Sequence, residues 1–430
     1  MKTVASYALG CKVNQYESEA IAELFVKEGF KAVDINEKAD VYIINTCTVT
    51  NLGDKKSRQL IRRVKKQNPD SIVAVIGCYA QTSPEVVSGI EGVNIILGTK
   101  DRSTILKKVL AYEPPMGIKN YVSEISDEHS FEELKIESLK DRTRAYLKIQ
   151  DGCNNFCSYC IIPYARGPIR SRKPEDILSE VRKLSQNGFK EIVLTGIHVA
   201  SYGKDLEGIN LLDIIKEVSK IEGIKRIRLS SVEPNIITED FILAAKSIDK
   251  LCNHFHLSLQ SGCNKILKAM NRKYNAEEYY GAVCLLRENI KDVSVTTDII
   301  AGFPGETEED FKETLDFAKK VGFAKIHAFP YSPKAGTVAA KLKNQIPNSI
   351  KSSRANALIK LSDETGLNYI KSFEGKTLPV LYEMKNEHGF YEGHTSNYIL
   401  VRAKSDADIS NKIIETNIIK ARTDGAEGLL

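Results

Sequence analysis

A chain of 430 residues is longer than one hydrophobic core usually organises, so two or three domains are expected. Its 42% hydrophobic and 27% charged residues, with no apolar run of the roughly 20 residues that span a bilayer, exclude a membrane protein and predict no membrane partner. A formal charge of +5 is compatible with nucleic acid but does not single it out.

The N-terminus reads Met1-Lys2-Thr3-Val4 and runs straight into a short strand, without the apolar core of a secretory signal, so a cytoplasmic location is expected. Nine cysteines in such a chain argue for metal ligation, catalysis or burial rather than a disulfide framework. Residues 1–112 alternate short apolar strands with amphipathic helices, the pattern of a doubly wound parallel sheet in an α/β domain. Its strands at 3–9, 41–45 and 72–76 run directly into Cys11, Cys47 and Cys78. Ligands of open parallel sheets sit beyond the carboxyl ends of the strands, so these three thiols are expected to converge.

Residues 113–140 break the periodicity with a Pro-Pro turn and an acidic stretch and read as a linker. From 141 to 374, six strand-like runs alternate with helices: 146–150, 191–195, 226–231, 254–260, 293–300 and 325–331. The helix at 174–187 has Pro174 at its start, and that at 307–321 has acidic residues in its first turn. Six such units predict a partial (β/α)6 barrel, short of the usual eight. Residues 375–430, with strand-like runs at 377–383, 398–403 and 413–421, read as a small all-β domain.

Cys153, Cys157 and Cys160 form a C-x-x-x-C-x-x-C cluster just after the first barrel strand. Three thiolates suit a four-iron cluster and leave one iron open. A structural zinc site would normally take four protein ligands, and no further cysteine or histidine follows closely. Cys252, Cys263 and Cys284 lack ligand-like spacing and sit near helical segments, where a thiol acts as a small apolar group.

This spacing, with Tyr159 before the last cysteine and a partial barrel downstream, resembles the radical S-adenosylmethionine (SAM) superfamily. The resemblance implies that the open iron chelates the amino and carboxylate groups of SAM, and that one-electron reduction releases a 5′-deoxyadenosyl radical. Supporting residues are expected at the carboxyl ends of barrel strands: Gly196, His198, Glu233, Gln260, Ser261 and Gly302, together with Tyr159. Each strand-end residue could equally be a turn or cap. The second strand departs from the Gly-Gly-Glu of many members, which leaves open the group that holds the SAM amino end.

Gly10-Cys11-Lys12-Val13-Asn14-Gln15-Tyr16-Glu17, the strand-end Cys47 and Cys78, the 153–160 loop and the C-terminal β-domain together resemble the methylthiotransferase family over nearly the whole chain. By that resemblance Cys11, Cys47 and Cys78 hold an auxiliary cluster, so the cofactors are two [4Fe-4S] clusters and SAM, and the last domain is an RNA-binding TRAM domain. One SAM would methylate a sulfur on the auxiliary cluster, and a second would supply the radical that takes hydrogen from C2 of adenosine. The wording at 10–17, 150–157 and 228–234 resembles the branch that modifies N6-threonylcarbamoyladenosine at position 37 of the tRNA anticodon loop. Other branches act on isopentenyl-adenosine in tRNA or on an aspartate of a ribosomal protein. The implied partners are tRNA and a one-electron donor such as flavodoxin or ferredoxin, with the protein a monomer. A non-catalytic iron–sulfur or zinc protein that binds RNA is the rival from another class, and it predicts no SAM cleavage.

Two basic groups bear on RNA. Lys55, Lys56, Arg58, Arg62, Arg63, Lys65 and Lys66 crowd one helix and fit either a solvated face or a phosphate track. Arg142, Arg144, Arg166, Arg170, Arg172 and Lys173 flank the cysteine loop, where phosphate contacts would position a substrate.

Overall fold

The computed structural model of the chain describes residues 1–114, 116–136 and 143–430. Six parallel strands, β1 (Thr3–Ala8), β2 (Lys31–Ala32), β3 (Val41–Thr46), β4 (Ile72–Gly77), β5 (Ile95–Ile96) and β6 (Lys119–Asn120), form the first sheet in the order β2-β1-β3-β4-β5-β6. Every residue of β3 is buried, as expected of a parallel strand covered on both faces. Alternation along the strands separates two cores. Val4, Ile43, Ala74 and Ile76 pack with Ile21 and Phe25 of helix α1 (Lys12–Lys27). Ala5, Tyr42, Ile44 and Val75 pack on the other face with Ile61 and Val64 of helix α2 (Asn51–Gln67).

The first of these cores does not stop at the sheet, because Ala145, Leu147 and Ile149 of the next domain belong to it. The stretch expected to be a linker is also partly built in: Ile125, Leu134 and Ile136 are buried, and Tyr16 Oη donates to the Leu134 carbonyl. The first and second domains are therefore packed together rather than tethered.

The second domain contains β7 (Arg144–Asp151), β8 (Arg170–Ser171), β9 (Glu191–Gly196), β10 (Arg226–Leu229), β11 (His254–His256), β12 (Ser294–Ala301) and β13 (Lys325–Pro330). The order is β10-β9-β7-β8 in one sheet and β11-β12-β13 in another. Isolated bridges Ile227–Leu251 and Val232–Leu257 span from β10 toward β11. The six expected strands thus follow one another as a curved parallel wall, and β8 adds a two-residue antiparallel edge that is too short to show a period. A long helix, Asn348–Lys371, packs along β13 through Leu358 and Leu361.

The C-terminal domain is a closed barrel of β14 (Thr377–Lys385), β15 (Tyr391–Thr395), β16 (Leu400–Ala403), β17 (Ile413–Arg422) and β18 (Gly425–Leu429), in the order β14-β15-β16-β18-β17. It is pinned to the second domain by arginines of β7 and β10. Arg226 donates to the carbonyls of His394 and Pro379 at 2.7 Å each, and Arg144 pairs with Glu383 at 2.9 Å. Among the described residues no helix is long and apolar enough to cross a membrane.

Candidate active site

The first cysteine trio is assembled by strand register. β1, β3 and β4 are adjacent in the sheet, with Ala8 opposite Asn45 and Thr46 opposite Gly77. Cys11, Cys47 and Cys78 follow these strands directly, and Cys78 opens the short helix α3 (Cys78–Thr82). Gly10 is needed here because its φ is +98° and an added Cβ would lie 2.6 Å from both Cβ and Sγ of Cys47. Burial pushes the Cys47 thiol up to about 12, with Cys78 and Cys11 adding to the rise. Burial likewise raises Cys11. Arg166, from the second domain, donates from Nε to Cys78 Sγ at 3.3 Å.

The second trio lies on the loop after β7, held by the backbone rather than by regular structure. Cys153 N donates to the Gly167 carbonyl at 3.1 Å and Ser158 N to the Met270 carbonyl at 3.0 Å. Asn271 Nδ2 donates to the Phe156 carbonyl at 3.0 Å. Arg272 donates from Nη1 to Cys157 Sγ at 3.3 Å and pairs with Glu233 at 2.8 Å. Burial pushes the Cys153 thiol up to about 11 and that of Cys160 to about 12.

Both trios suit a metal cluster. Thiols whose pKa values burial raises, as at Cys11, Cys47, Cys153 and Cys160, ionise when a metal compensates the charge, and each trio has one guanidinium directed at a sulfur. Neither is drawn in to the spacing of a single ion: among the described residues, Cys263, Asp310 and Glu313 alone have ligand atoms all within 4.8 Å of one another. Three thiols held farther apart match the faces of a larger cluster better than one tetrahedral zinc.

A cavity of about 930 Å³ is lined by Cys11 together with Cys153, Cys157 and Cys160, so the second trio and one cysteine of the first border one space. Tyr159, Gly196, His198 and Glu233 also line it. His198 Nε2 lies 3.1 Å from Glu233 Oε2, and Asn155 Nδ2 donates to Glu233 Oε1 at 3.0 Å. Burial alone would raise the Glu233 carboxyl, but the His198 hydrogen bond and the Arg272 charge hold it at about 2. Glu233 is therefore an anion facing the cysteine loop at neutral pH. Gln150 Oε1 accepts from the His198 backbone N–H at 2.7 Å and fixes the loop after β9.

The remaining expected SAM contacts are placed elsewhere. Ser261 Oγ is buried against Thr314 Oγ1 at 3.1 Å, and the Gly302 N–H donates to Glu306 at 2.6 Å, facing the Asn348–Lys371 helix. Gln260 stands at a left-handed φ of +72° and bridges to Ile299. Sequence reasoning misses Gln150, Asn155 and Arg272. Asn155 lies inside the cysteine loop, which is a usable signal, whereas nothing near Arg272 in sequence points to its sulfur contact.

The basic residues around the loop need correction. Arg166 and Arg172 are fully buried and Arg170 nearly so, so they do not form a phosphate surface. Arg172 pairs with Glu133 and Glu180 at 2.7 Å each. Arg166 meets Glu17 at 2.6 Å and Asp151 at 3.2 Å, in a closed network where Arg102 and Lys148 also reach Glu17, at 2.5 and 2.9 Å. A buried guanidinium stays charged only with such partners. Arg144 is engaged by Glu383, Lys173 is exposed, and Arg142 lies outside the described residues. On α2, Lys55, Lys56, Arg62, Arg63 and Lys66 are exposed, while Arg58 donates to Tyr79 Oη and Lys65 to the Ser71 carbonyl.

Residues 147–318 match the radical SAM superfamily, and residues 3–98 match an uncharacterized protein family, UPF0004. The chain is 46% identical to the threonylcarbamoyladenosine tRNA methylthiotransferase MtaB of Bacillus subtilis, over 98% of this chain and 94% of that one. It is 39% identical to the MtaB of Aquifex aeolicus, over 95% and 98%. It is also 39% identical to a tRNA-2-methylthio-N(6)-dimethylallyladenosine synthase of Acetivibrio thermocellus, over 97% and 89%. Among solved structures, the radical SAM methyltransferase TsrM of Kitasatospora setae shares the fold at a TM-score of 0.56 and 15% identity, covering 78% of this chain and 77% of that one. The second cysteine trio facing Cys11 of the first across one cavity and the end-to-end relatives agree, and this chain belongs to the MtaB family of radical SAM methylthiotransferases.

Proposed function

We propose that this protein converts N6-threonylcarbamoyladenosine at position 37 of tRNA to its 2-methylthio form, using two [4Fe-4S] clusters and SAM. The observation that carries this reading is a single cavity lined by Cys153, Cys157 and Cys160 of the second domain and by Cys11 of the first domain's trio. Cys153, Cys157 and Cys160 would hold the cluster that cleaves SAM, and Cys11, Cys47 and Cys78 the auxiliary cluster. When bound, these groups supply one-electron reductive cleavage of SAM and a sulfur for transfer to C2 of the base.

The chain's own residues do the rest. Arg272 balances thiolate charge at Cys157 and fixes Glu233. Glu233 and His198, held by Asn155 and Gln150, offer an anion and a ring nitrogen to the polar end of SAM. Arg166 does for Cys78 what Arg272 does for Cys157. The C-terminal domain brings Asn397 and Tyr398 to the cavity wall, which supports a role in seating RNA beside the cysteine loop. Gln260, Ser261 and Gly302 would act on SAM only through the backbone they shape.

Domain limits near 112, 140 and 374, a cytoplasmic monomer and a flavodoxin- or ferredoxin-type electron donor complete the reading. Nucleoside mass spectrometry of tRNA from a strain lacking the gene tests it. Loss of the 2-methylthio form with accumulation of threonylcarbamoyladenosine is expected, and loss of a methylthio isopentenyl-adenosine instead would refute the substrate.

A further inference from the structure

Lys12 directly follows Cys11, opens α1 and lines the cavity between the auxiliary cysteines and the C-terminal domain. Its side chain is exposed in the cavity wall, and among the described residues it has no carboxylate partner; the Tyr146 ring lies 6.0 Å from its Nζ. The acids around it are already taken. Glu191 is held by Arg228 at 2.7 Å, and Glu383 by Arg144 at 2.9 Å and His394 at 2.8 Å. This part of the cavity therefore presents a free ammonium beside guanidinium groups whose own partners are satisfied. Such a site is complete only when an anion enters it.

Threonylcarbamoyladenosine carries that anion on the base. The amino group of its threonine is joined to N6 through a carbonyl, as a urea, which leaves the α-carboxylate free. C2 and the N6 substituent flank N1 on one edge of the purine, so a base that offers C2 to the sulfur site extends its carboxylate along the same edge. A cation one residue from a cysteine of that site stands where this edge must lie. An isopentenyl group has no charge to offer there. We infer that Lys12 binds the threonyl carboxylate of the substrate base and thereby selects it over uncharged N6 substituents. This inference rests on the function proposed above.

A backbone phosphate would share the same chemistry, and the experiment separates the two. Anticodon stem-loops carrying threonylcarbamoyladenosine, its threonyl methyl ester or isopentenyl-adenosine are offered to the cluster-loaded protein, with iron counted in every preparation. Dissociation constants are measured by fluorescence anisotropy and kcat/KM by nucleoside mass spectrometry. The unaltered protein should bind the ester roughly 10- to 100-fold more weakly than the acid, the factor expected for one charge-assisted hydrogen bond. Lys12→Met should weaken acid binding by a similar factor and leave acid and ester alike, whereas Lys12→Arg should keep the preference. Equal weakening of acid and ester by Lys12→Met would assign the ammonium to a phosphate or to support of Cys11, and would overturn the inference. Equal binding of acid and ester by the unaltered protein would overturn it without any variant. Turnover of the isopentenyl stem-loop and not of the acid would instead show that the proposed substrate itself is wrong.

Discussion

Replacing Arg166 by methionine should separate the first two domains energetically. Its guanidinium is fully buried, donates to Glu17 at 2.6 Å, to Asn14 at 2.6 Å and to Cys78 Sγ at 3.3 Å, and pairs with Asp151 at 3.2 Å. Breaking one partner out of a buried ion network costs about 3–5 kcal/mol because the opposite charge stays buried. Here Glu17 keeps Arg102 and Lys148, and Asp151 keeps Lys148 at 2.5 Å, so the lower end, about 3 kcal/mol, is expected. For domains of this size that corresponds to a fall of about 6–12 °C in the first unfolding transition. Arg166→Lys, which keeps charge but not the planar fork, should recover less than half. Anaerobic calorimetry of the cluster-loaded variants measures this. The Arg166→Met and Glu17→Gln double variant should be less destabilised than the sum of the singles by at least about 1 kcal/mol. A shift below about 1 kcal/mol in Arg166→Met, or strict additivity with Glu17→Gln, would refute the network as the bond between domains.

Three further outcomes are expected. The protein reconstituted without oxygen should hold about eight irons, and alanine at Cys153, Cys157 and Cys160 should leave about four and abolish 5′-deoxyadenosine formation, so retained cleavage would contradict the assignment. Neutralising Lys55, Lys56, Arg62, Arg63 and Lys66 should flatten the salt dependence of tRNA binding by roughly 0.7 for each phosphate that is no longer neutralised; an unchanged slope would move RNA to another surface. In the cluster-free protein the Cys47 and Cys160 thiols sit near 12 against an ordinary 9, so the folded state holds their protons more tightly than the unfolded chain. Its urea midpoint should therefore fall between about pH 9 and 11, and iron uptake should improve from about pH 7 to pH 9; a midpoint that rises over the first range would reverse the sign.

The cysteines are legible in the sequence because their message is local. The 153–160 spacing is complete within one short loop, and each of Cys11, Cys47 and Cys78 abuts an apolar strand whose direction fixes where the thiol must go. The six barrel strands are legible for the same reason, since each carries its own period. Long-range pairing is what the sequence hides. Arg166, Arg170 and Arg172 read as a basic patch because sequence displays a charge without its partner, and Glu17 stands 149 positions away from Arg166. The contact of Arg272 with Cys157 crosses 115 positions and is equally invisible. β15 and β18 escape detection because glycines interrupt their alternation, at Gly393, Gly425 and Gly428. The acidic stretch near 124–136 reads as a free linker because its few apolar anchors, Ile125, Leu134 and Ile136, are too widely spaced to set a pattern.

The central claim is that sulfur reaches the base through the first trio while the second generates the radical. The triple variant with alanine at Cys11, Cys47 and Cys78, incubated with dithionite, SAM and tRNA bearing threonylcarbamoyladenosine, tests it in one reaction by mass spectrometry. The account predicts about four remaining irons, continued formation of 5′-deoxyadenosine and no methylthio nucleoside. Methylthio nucleoside formed at the rate of the unaltered protein would show that the sulfur never passes through this site.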